Sequence, residues 1–266
     1  MQRVRGLPRR ALGSAQAGRL FESSVTYALR ETLPRDRVGF YVPRGSVHGL
    51  LLRHHSHDVS IVQEIFSMKL YEPPAPVLEA LARLGRPPRV LDLGAHVGVF
   101  GAFILTIEPH AHVLSFEPDP QSFALLSVSA RRSGRDWIVL EAAAAPETGW
   151  APFMATGSLA SGLTTADVTG GNGDRTTVLT LDVLPLLPRI DLAKIDIEGG
   201  EWPILTDPRW PHCAPQLLAL EFHPQGCPGR DHQAAAIAAL DSAGMDHALI
   251  TDTPAGAGML WAWRRS

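Results

Sequence analysis

The stretch VLDLGAHVGVF, residues 90–100, reads as an apolar strand that ends in Asp92-Leu93-Gly94, turns through Ala95-His96-Val97-Gly98 and enters a helix. Glycines at such a bend let the backbone approach a ligand where a Cβ would collide. The following strand, HVLSF, ends in Glu117, 23 positions after Gly94, where a carboxylate can accept both hydroxyls of a ribose. Bend and acid together specify an adenosine-type cofactor; Glu117 argues against a bend that merely turns strand into helix. Glycine spacing then selects among such cofactors. Dinucleotide folds use G-x-G-x-x-G to bring a helix N-terminus to a pyrophosphate. Here Gly94 and Gly98 are spaced G-x-x-x-G and Asp92 precedes them. An acid there repels a pyrophosphate and suits a cationic ligand such as the amino or sulfonium group of S-adenosylmethionine, directly or through water.

Outward from this turn the pattern is regular. Helices are predicted over 77–85, from Val97, over 121–132, from near Gly200 and over 233–244. Strands are predicted over 89–94, 112–118, 137–142, 190–198, 216–223, 247–251 and 258–264. Strands alternating with helices of this length call for an α/β fold, a doubly wound, mostly parallel sheet covered on both faces. Residues 155–176 are small, polar and glycine-rich, and read as a mobile loop over the site. Ahead of the alternating region, residues 38–53 read as two short strands around Gly45-Ser46. A helix follows in which Ile61, Ile65 and Met68 form an apolar stripe. The expected division is a basic tail and lead-in over 1–37 (Arg3, Arg5, Arg9 and Arg10), a β-hairpin and helix cover over 38–75, and the main domain over 76–266.

Composition narrows the function. Of 266 residues, 24 are Lys or Arg and 27 are Asp or Glu, a formal charge of −3, so no global positive field exists to capture a nucleic acid. The apolar runs are too short for a membrane span and the N-terminus lacks a secretory signal, so a cytoplasmic protein is expected. Cys213 and Cys227 are too few for a disulfide framework. His48, His54, His55 and His57 read as a solvated edge sooner than a metal site. His212, Cys213, His223 and Cys227 lack the tight spacing of a zinc site.

A second charged cluster lies in KIDIEGGE, residues 194–201. Read as strand, it points Lys194, Asp196 and Glu198 to one side and Ile195 and Ile197 to the other. Lys69 and Lys194 are the two lysines of a chain whose other basic residues are arginine, which hints that a compact ammonium is wanted at 194. The next strand ends in Glu221-Phe222-His223, and ligands of open α/β sheets bind along that edge. A solvated strand end, with Glu201 opening a helix, is the plainer alternative.

In VLDLGAHVGVF, SFEPDP and LAKIDIEGGEW, and in the preceding VQEIFSMKLY, the chain resembles the FkbM-type family of S-adenosylmethionine-dependent methyltransferases from about residue 59 to 224. The resemblance implies a Rossmann-like methyltransferase fold and methyl transfer to a hydroxyl of a small molecule, such as a sugar-containing bacterial secondary metabolite of the antibiotic kind. It implies cofactor contacts from Asp92, Gly94, Ala95, His96, Gly98, Glu117, Glu141 and Asp196. His96 stands where the family often has Asn, and Glu141 is nearly the one polar side chain in the segment expected beside adenine. Methyl transfer requires in-line alignment and removal of the acceptor's proton. Asp196 is the first candidate base, followed by Glu198 and His223, with Lys194 holding a neighbouring carboxylate. A Mg²⁺ held by Asp196 and Glu221 is an alternative route to deprotonation, and the main reading assigns no metal. A small-molecule acceptor is the expected partner, a homodimer is compatible with the sequence, and nucleic acid and membrane are not expected. The rivals are N-methylation of an amine, a cofactor-binding partner without turnover in a tailoring complex, and a nicotinamide-dependent oxidoreductase, which the glycine spacing disfavours.

Overall fold

Aromatic side chains organise the chain ahead of the glycine turn. In a computed structural model, which describes residues 16–33, 38–155, 162–163, 174–252 and 256–265, Phe21 stacks on Tyr27 of helix α1 (Ser24–Glu31) at 4.5 Å between ring centroids. Tyr27 meets Tyr41 edge-on at 5.0 Å. Tyr41 closes β1 (Val38–Tyr41), which pairs antiparallel with β2 (Leu50–Arg53). Of the expected basic tail and lead-in over 1–37, residues 1–15 and 34–37 lie outside the described residues. The histidine-rich segment after β2 is not a solvated edge throughout: His54 is buried, with Nε2 2.6 Å from the Tyr41 hydroxyl and Nδ1 on Glu31. The hairpin is tied to the rest of the fold where the Leu51 amide donates to Ser129 Oγ at 2.9 Å.

The predicted helix after the hairpin is split. An α-helix, α2 (Asp58–Val62), runs into a π-helical turn over Gln63–Ser67. The wider turn shifts the apolar stripe, so Val62 and Ile65 are buried whereas Met68, expected in that stripe, is exposed.

The alternating region builds one seven-stranded sheet. Its elements in chain order are α3 (Ala75–Arg83), β3 (Arg89–Leu93), α4 (Val99–Ile107), β4 (His112–Phe116), α5 (Pro120–Ser133) and β5 (Trp137–Leu140). A separate small sheet contains β6 (Ala143–Ala145), β7 (Gly149–Ala155), β8 (Gly162–Leu163) and β9 (Asp174–Asp182), in spatial order β6-β9-β7-β8. Sequence reading missed this sheet; the loop expected over 155–176 falls mostly on residues outside those described. The main sheet resumes with β10 (Leu192–Ile195), α6 (Glu201–Leu205), α7 (Trp210–Cys213), β11 (Leu217–Phe222), α8 (His232–Ser242), β12 (Met245–Asp252) and β13 (Gly258–Arg264).

Strand order in that sheet is β12-β13-β11-β10-β3-β4-β5, parallel from β11 to β5 with β13 antiparallel between β11 and β12. The strands are apolar on both faces because helices cover both; Val90, Leu91, Leu93, Leu192, Ala193 and Ile195 are all buried. Helix α5 begins where Asp119 caps the Gln121 and Ser122 amides. Among the described residues, no helix is long and apolar enough to cross a membrane.

Candidate active site

Chain order reverses between β3 and β10, and an open α/β sheet binds its ligand in the crevice at the carboxyl ends of such a pair. The two strand ends approach so closely that a Cβ at Gly94 would collide with the Asp196 carbonyl oxygen, and Gly94 sits at φ +77°, where a side chain is strained. The Gly94 and Ala95 amides both donate to the Phe116 carbonyl, at 3.1 and 2.9 Å, which ties the turn to β4. Above the turn opens a cavity of about 1120 Å³, open solvent at its mouth included, lined among others by Gly94, Ala95, His96, Glu117, Lys194, Asp196, Glu198 and Glu221.

Glu117 faces this cavity from the end of β4, 5% exposed. Its carboxylate is positioned by the His96 amide at 2.7 Å and the Asp119 amide at 2.8 Å. Burial pushes its pKa up to about 7, against the opposing pull of those two amides. His96 adopts φ +51°, and its Nε2 lies 2.9 Å from Arg53 Nη2. Arg53 is itself clamped by the fully buried Asp58, which also accepts the Arg53 amide at 2.7 Å. Burial lowers the His96 pKa to about 4, so the ring is neutral. Gly98 is where the helix α4 backbone passes Trp137 and Leu126, and it does not line the cavity. Nor does Glu141: its side chain is exposed, and the wall expected to carry it is supplied instead by Ala143, Ala144 and Phe153 of the small sheet.

Lys194 lines the cavity, and Asp92 packs behind it. Asp92 is fully enclosed beneath the cavity, so a direct contact from it to a ligand is not available. Burial raises its pKa, partly offset by the ammonium of Lys194 3.6 Å away. Lys194 Nζ donates to the Gly94 carbonyl at 2.8 Å and lies 3.1 Å from Asp196 Oδ2. Burial pulls its pKa down, yet Asp196 and Asp92 outweigh that and hold it charged. The lone buried lysine thus joins both strand ends.

Asp196 and Glu198 do not continue strand β10, which ends at Ile195. Glu198 takes φ +55° and Gly199 φ +95°, so the expected charged row is a turn. Glu201, anticipated as an ordinary acid at a helix start, is fully buried and accepts the Ile197 and Gly199 amides at 2.8 Å each, folding that turn back. It also contacts His223 Nδ1 at 3.1 Å. Burial opposes protonation of His223, but the hydrogen bond to Glu201 and the charge of Asp196 prevail and raise its pKa to about 9. An imidazolium cannot serve as a base, so that candidate role does not suit the ring as it stands here.

Two residues from the cover complete the site. The Tyr71 hydroxyl donates to Glu221 Oε2 at 2.7 Å while its ring meets Phe100 edge-on. Glu64 lines the cavity opposite, its pKa raised by burial and by the charge of Asp196. Tyr71, Glu64, Arg53 and Asp58 were not among the sequence candidates, and no local spacing marks them. Neither histidine-containing set weighed as a metal site assembles one: among the described residues, the group that does gather metal-ligating atoms is Asp196, Glu221 and His223.

A glycine turn, a strand-end carboxylate and a central sheet with one antiparallel strand at its far side define the class of Rossmann-like, S-adenosylmethionine-dependent methyltransferases. Residues 92–245, more than half of the chain, match the Methyltransferase FkbM domain, and the chain belongs to that family. No curated protein sequence matches it at a significant level. Among solved structures it is similar to precorrin-6y C5,15-methyltransferase from Geobacter metallireducens, with 14% identity, 72% of this chain and 87% of that one covered, and a TM-score of 0.41. It is likewise similar to Aeropyrum pernix fibrillarin with natively bound S-adenosylmethionine, with 12% identity, 70% and 73% covered, and a TM-score of 0.40. The fold assignment rests on the strand order of the chain itself and on the family match.

S-adenosylmethionine is the cofactor of this family, and the residues present fit it. Glu117 could take the ribose hydroxyls on its carboxylate, and Ala143, Ala144 and Phe153 line an apolar wall that could face a purine.

Proposed function

We propose that the protein methylates a hydroxyl of a small molecule, a sugar-containing or other specialised bacterial metabolite such as an antibiotic precursor. When bound, S-adenosylmethionine supplies the electrophilic methyl group. The observation that carries the reading is the carboxylate group Asp196, Glu198 and Glu221 lining the cavity on its β10–β11 side, across β3 from Glu117, where an acceptor hydroxyl would lose its proton as it attacks. An alkyl hydroxyl is a poor nucleophile, and a positioned base contributes typically 10²–10⁴-fold. Asp196 is the first candidate: it lines the cavity, and Lys194 fixes its orientation through Oδ2. Glu198 stands next to it on the same turn. The remaining residues position and exclude water, with Ile61, Ile65 and Phe100 forming an apolar flank.

The acidic lining also favours a second reading, an amine acceptor drawn in as a cation and methylated on nitrogen after losing a proton. In either case the cover over 38–75 shapes the acceptor side of the domain that starts at 76. The deciding experiment incubates the full chain with methyl-labelled S-adenosylmethionine and matched panels of sugar alcohols, glycosides and amines. Label transferred to oxygen supports the main reading, and transfer to nitrogen alone replaces it. Cofactor binding with no product and no S-adenosylhomocysteine from any acceptor-containing extract overturns both.

A further inference from the structure

We propose that Asp196, Glu221 and His223 form a binding site for a first-row divalent metal ion at the acceptor end of the cavity. The three side chains leave the ends of adjacent parallel strands, and one ligand atom from each lies within 4.8 Å of the other two. That is a small side-chain rotation from the roughly 3–4 Å that neighbouring ligands keep around one ion.

Each of the three has one polar atom tied down and another left over. Lys194 holds Asp196 through Oδ2 at 3.1 Å, the Tyr71 hydroxyl holds Glu221 through Oε2 at 2.7 Å, and Glu201 holds His223 through Nδ1 at 3.1 Å. The leftover atoms are Oδ1, Oε1 and Nε2. His223 is nine-tenths buried, yet among the described residues no hydrogen bond falls on its Nε2, which points between Glu198 and Glu221 at 3.6 and 4.0 Å. Metal-bound histidines are oriented in this way, with a carboxylate on the other ring nitrogen, and an ion arriving at Nε2 displaces the proton that the surrounding acids hold there in the free chain. Charge points to the same conclusion: the cavity is lined by Glu64, Glu117, Asp196, Glu198 and Glu221 against a single lysine, Lys194. Two carboxylates and an imidazole suit an ion of the Mn²⁺, Fe²⁺ or Zn²⁺ type better than Ca²⁺.

The role of the ion rests on the O-methylation reading; its binding does not. Beside the acceptor, it polarises the hydroxyl. With the ion bound, Asp196 is a ligand and the base role given to it above passes to Glu198, on the same turn, which receives the proton. The hydroxyl oxygen forms the new O–CH₃ bond as the S–CH₃ bond breaks, and the sulfonium electron pair returns to sulfur in S-adenosylhomocysteine.

The test is titration of MnCl₂ into the chelator-treated full chain with S-adenosylhomocysteine present, followed by the electron paramagnetic resonance of free Mn²⁺ and by calorimetry. One Mn²⁺ per chain is expected. Glu221→Gln and His223→Gln should weaken binding at least tenfold, and Tyr71→Phe, which removes one hydroxyl, about tenfold. No binding at about 1 mM Mn²⁺ by wild-type chain that still binds S-adenosylhomocysteine overturns the site, as does binding unmoved by all three variants. Failure to bind S-adenosylhomocysteine would instead strike the methyltransferase reading, so the two failures are distinguishable.

Discussion

Arg53 of the cover hairpin lies 2.9 Å, through Nη2, from Nε2 of His96 in the cofactor turn, and the same guanidinium nitrogen reaches Ser122 on α5 at 3.2 Å. One side chain therefore fastens the hairpin to both the glycine turn and helix α5, with Asp58 as counter-charge. Arg53→Ala should cost about 3–5 kcal/mol of stability, because it leaves the buried Asp58 carboxylate without its partner. It should also raise the dissociation constant for S-adenosylhomocysteine by about tenfold, by releasing the turn. Arg53→Lys should recover part of the stability and little of the affinity, since an ammonium cannot reproduce the fork. Thermal melting and calorimetry on the same samples check both effects. Equal recovery of the two would show that the clasp acts through charge alone.

Glu117 should set a pH dependence for cofactor capture. Its carboxyl titrates near pH 7 because burial outweighs the two amides that favour its charged form, while the adjacent His96 is already neutral there and Lys194 stays charged. Two ribose hydroxyls donate to a carboxylate but not equally to a carboxylic acid. Affinity for S-adenosylhomocysteine should therefore fall as pH drops below about 7, approaching tenfold per unit. Stability carries the opposite sign: with the native pKa above the unfolded one, the contribution of Glu117 falls as pH rises from about 4.5 to about 7. Glu117→Gln should remove the pH dependence of affinity between 5.5 and 7.5 and weaken binding about tenfold or more at pH 8. A slope that survives in Glu117→Gln would assign the titration to another group.

Much of the sheet can be read in the sequence because its strands are short apolar runs closed by polar residues, and the glycine turn declares itself by composition. What is not legible has physical causes. The Ala143–Ala145 strand has no alternation, and β7 carries Pro152 inside a strand, so both look like connection. The alternation Ile-Asp-Ile-Glu carries a period of two past the true end of β10, and only the glycines at 199 and 200 hint at the turn. Tyr71 and Glu221 are 150 positions apart, and Arg53 and His96 are 43 apart, so no local spacing could pair them. Strand-end acids were therefore visible, as was Lys194 beside Asp196, whereas Tyr71 and Arg53, which reach the site from far along the chain, were not.

Gly94 tests the crevice itself. Its positive φ disfavours any side chain by about 1–2 kcal/mol, and the Asp196 carbonyl occupies the space a Cβ needs, adding about 1–3 kcal/mol of overpacking. Gly94→Ala should lower stability by about 3 kcal/mol and abolish measurable cofactor binding, because relief must push the β3 and β10 ends apart. Gly85→Ala serves as the control: it too has positive φ, but nothing stands within 4 Å of its would-be Cβ. It should be less destabilising and should leave cofactor binding intact. Equal losses in both variants would mean that backbone strain, not the closeness of the two strands, governs the site.

Lys194 and Asp92 should behave as a unit. Lys194→Met leaves the fully enclosed Asp92 without its ammonium and removes the link to the Gly94 carbonyl and Asp196. A loss of about 3–5 kcal/mol is expected, since a buried charge that loses its partner must protonate or unfold the site. Burial already raises the Asp92 pKa, and without Lys194 nothing as strong opposes that rise. Asp92→Asn removes the charge that needs compensating, so the double variant should be more stable than the sum of the two single losses predicts, with a coupling of about 1–3 kcal/mol. Denaturant unfolding of the four proteins gives the cycle directly. Strict additivity would mean that Lys194 is held in place by the Gly94 carbonyl and Asp196 alone, and that Asp92 fills space under the turn without acting as a charge.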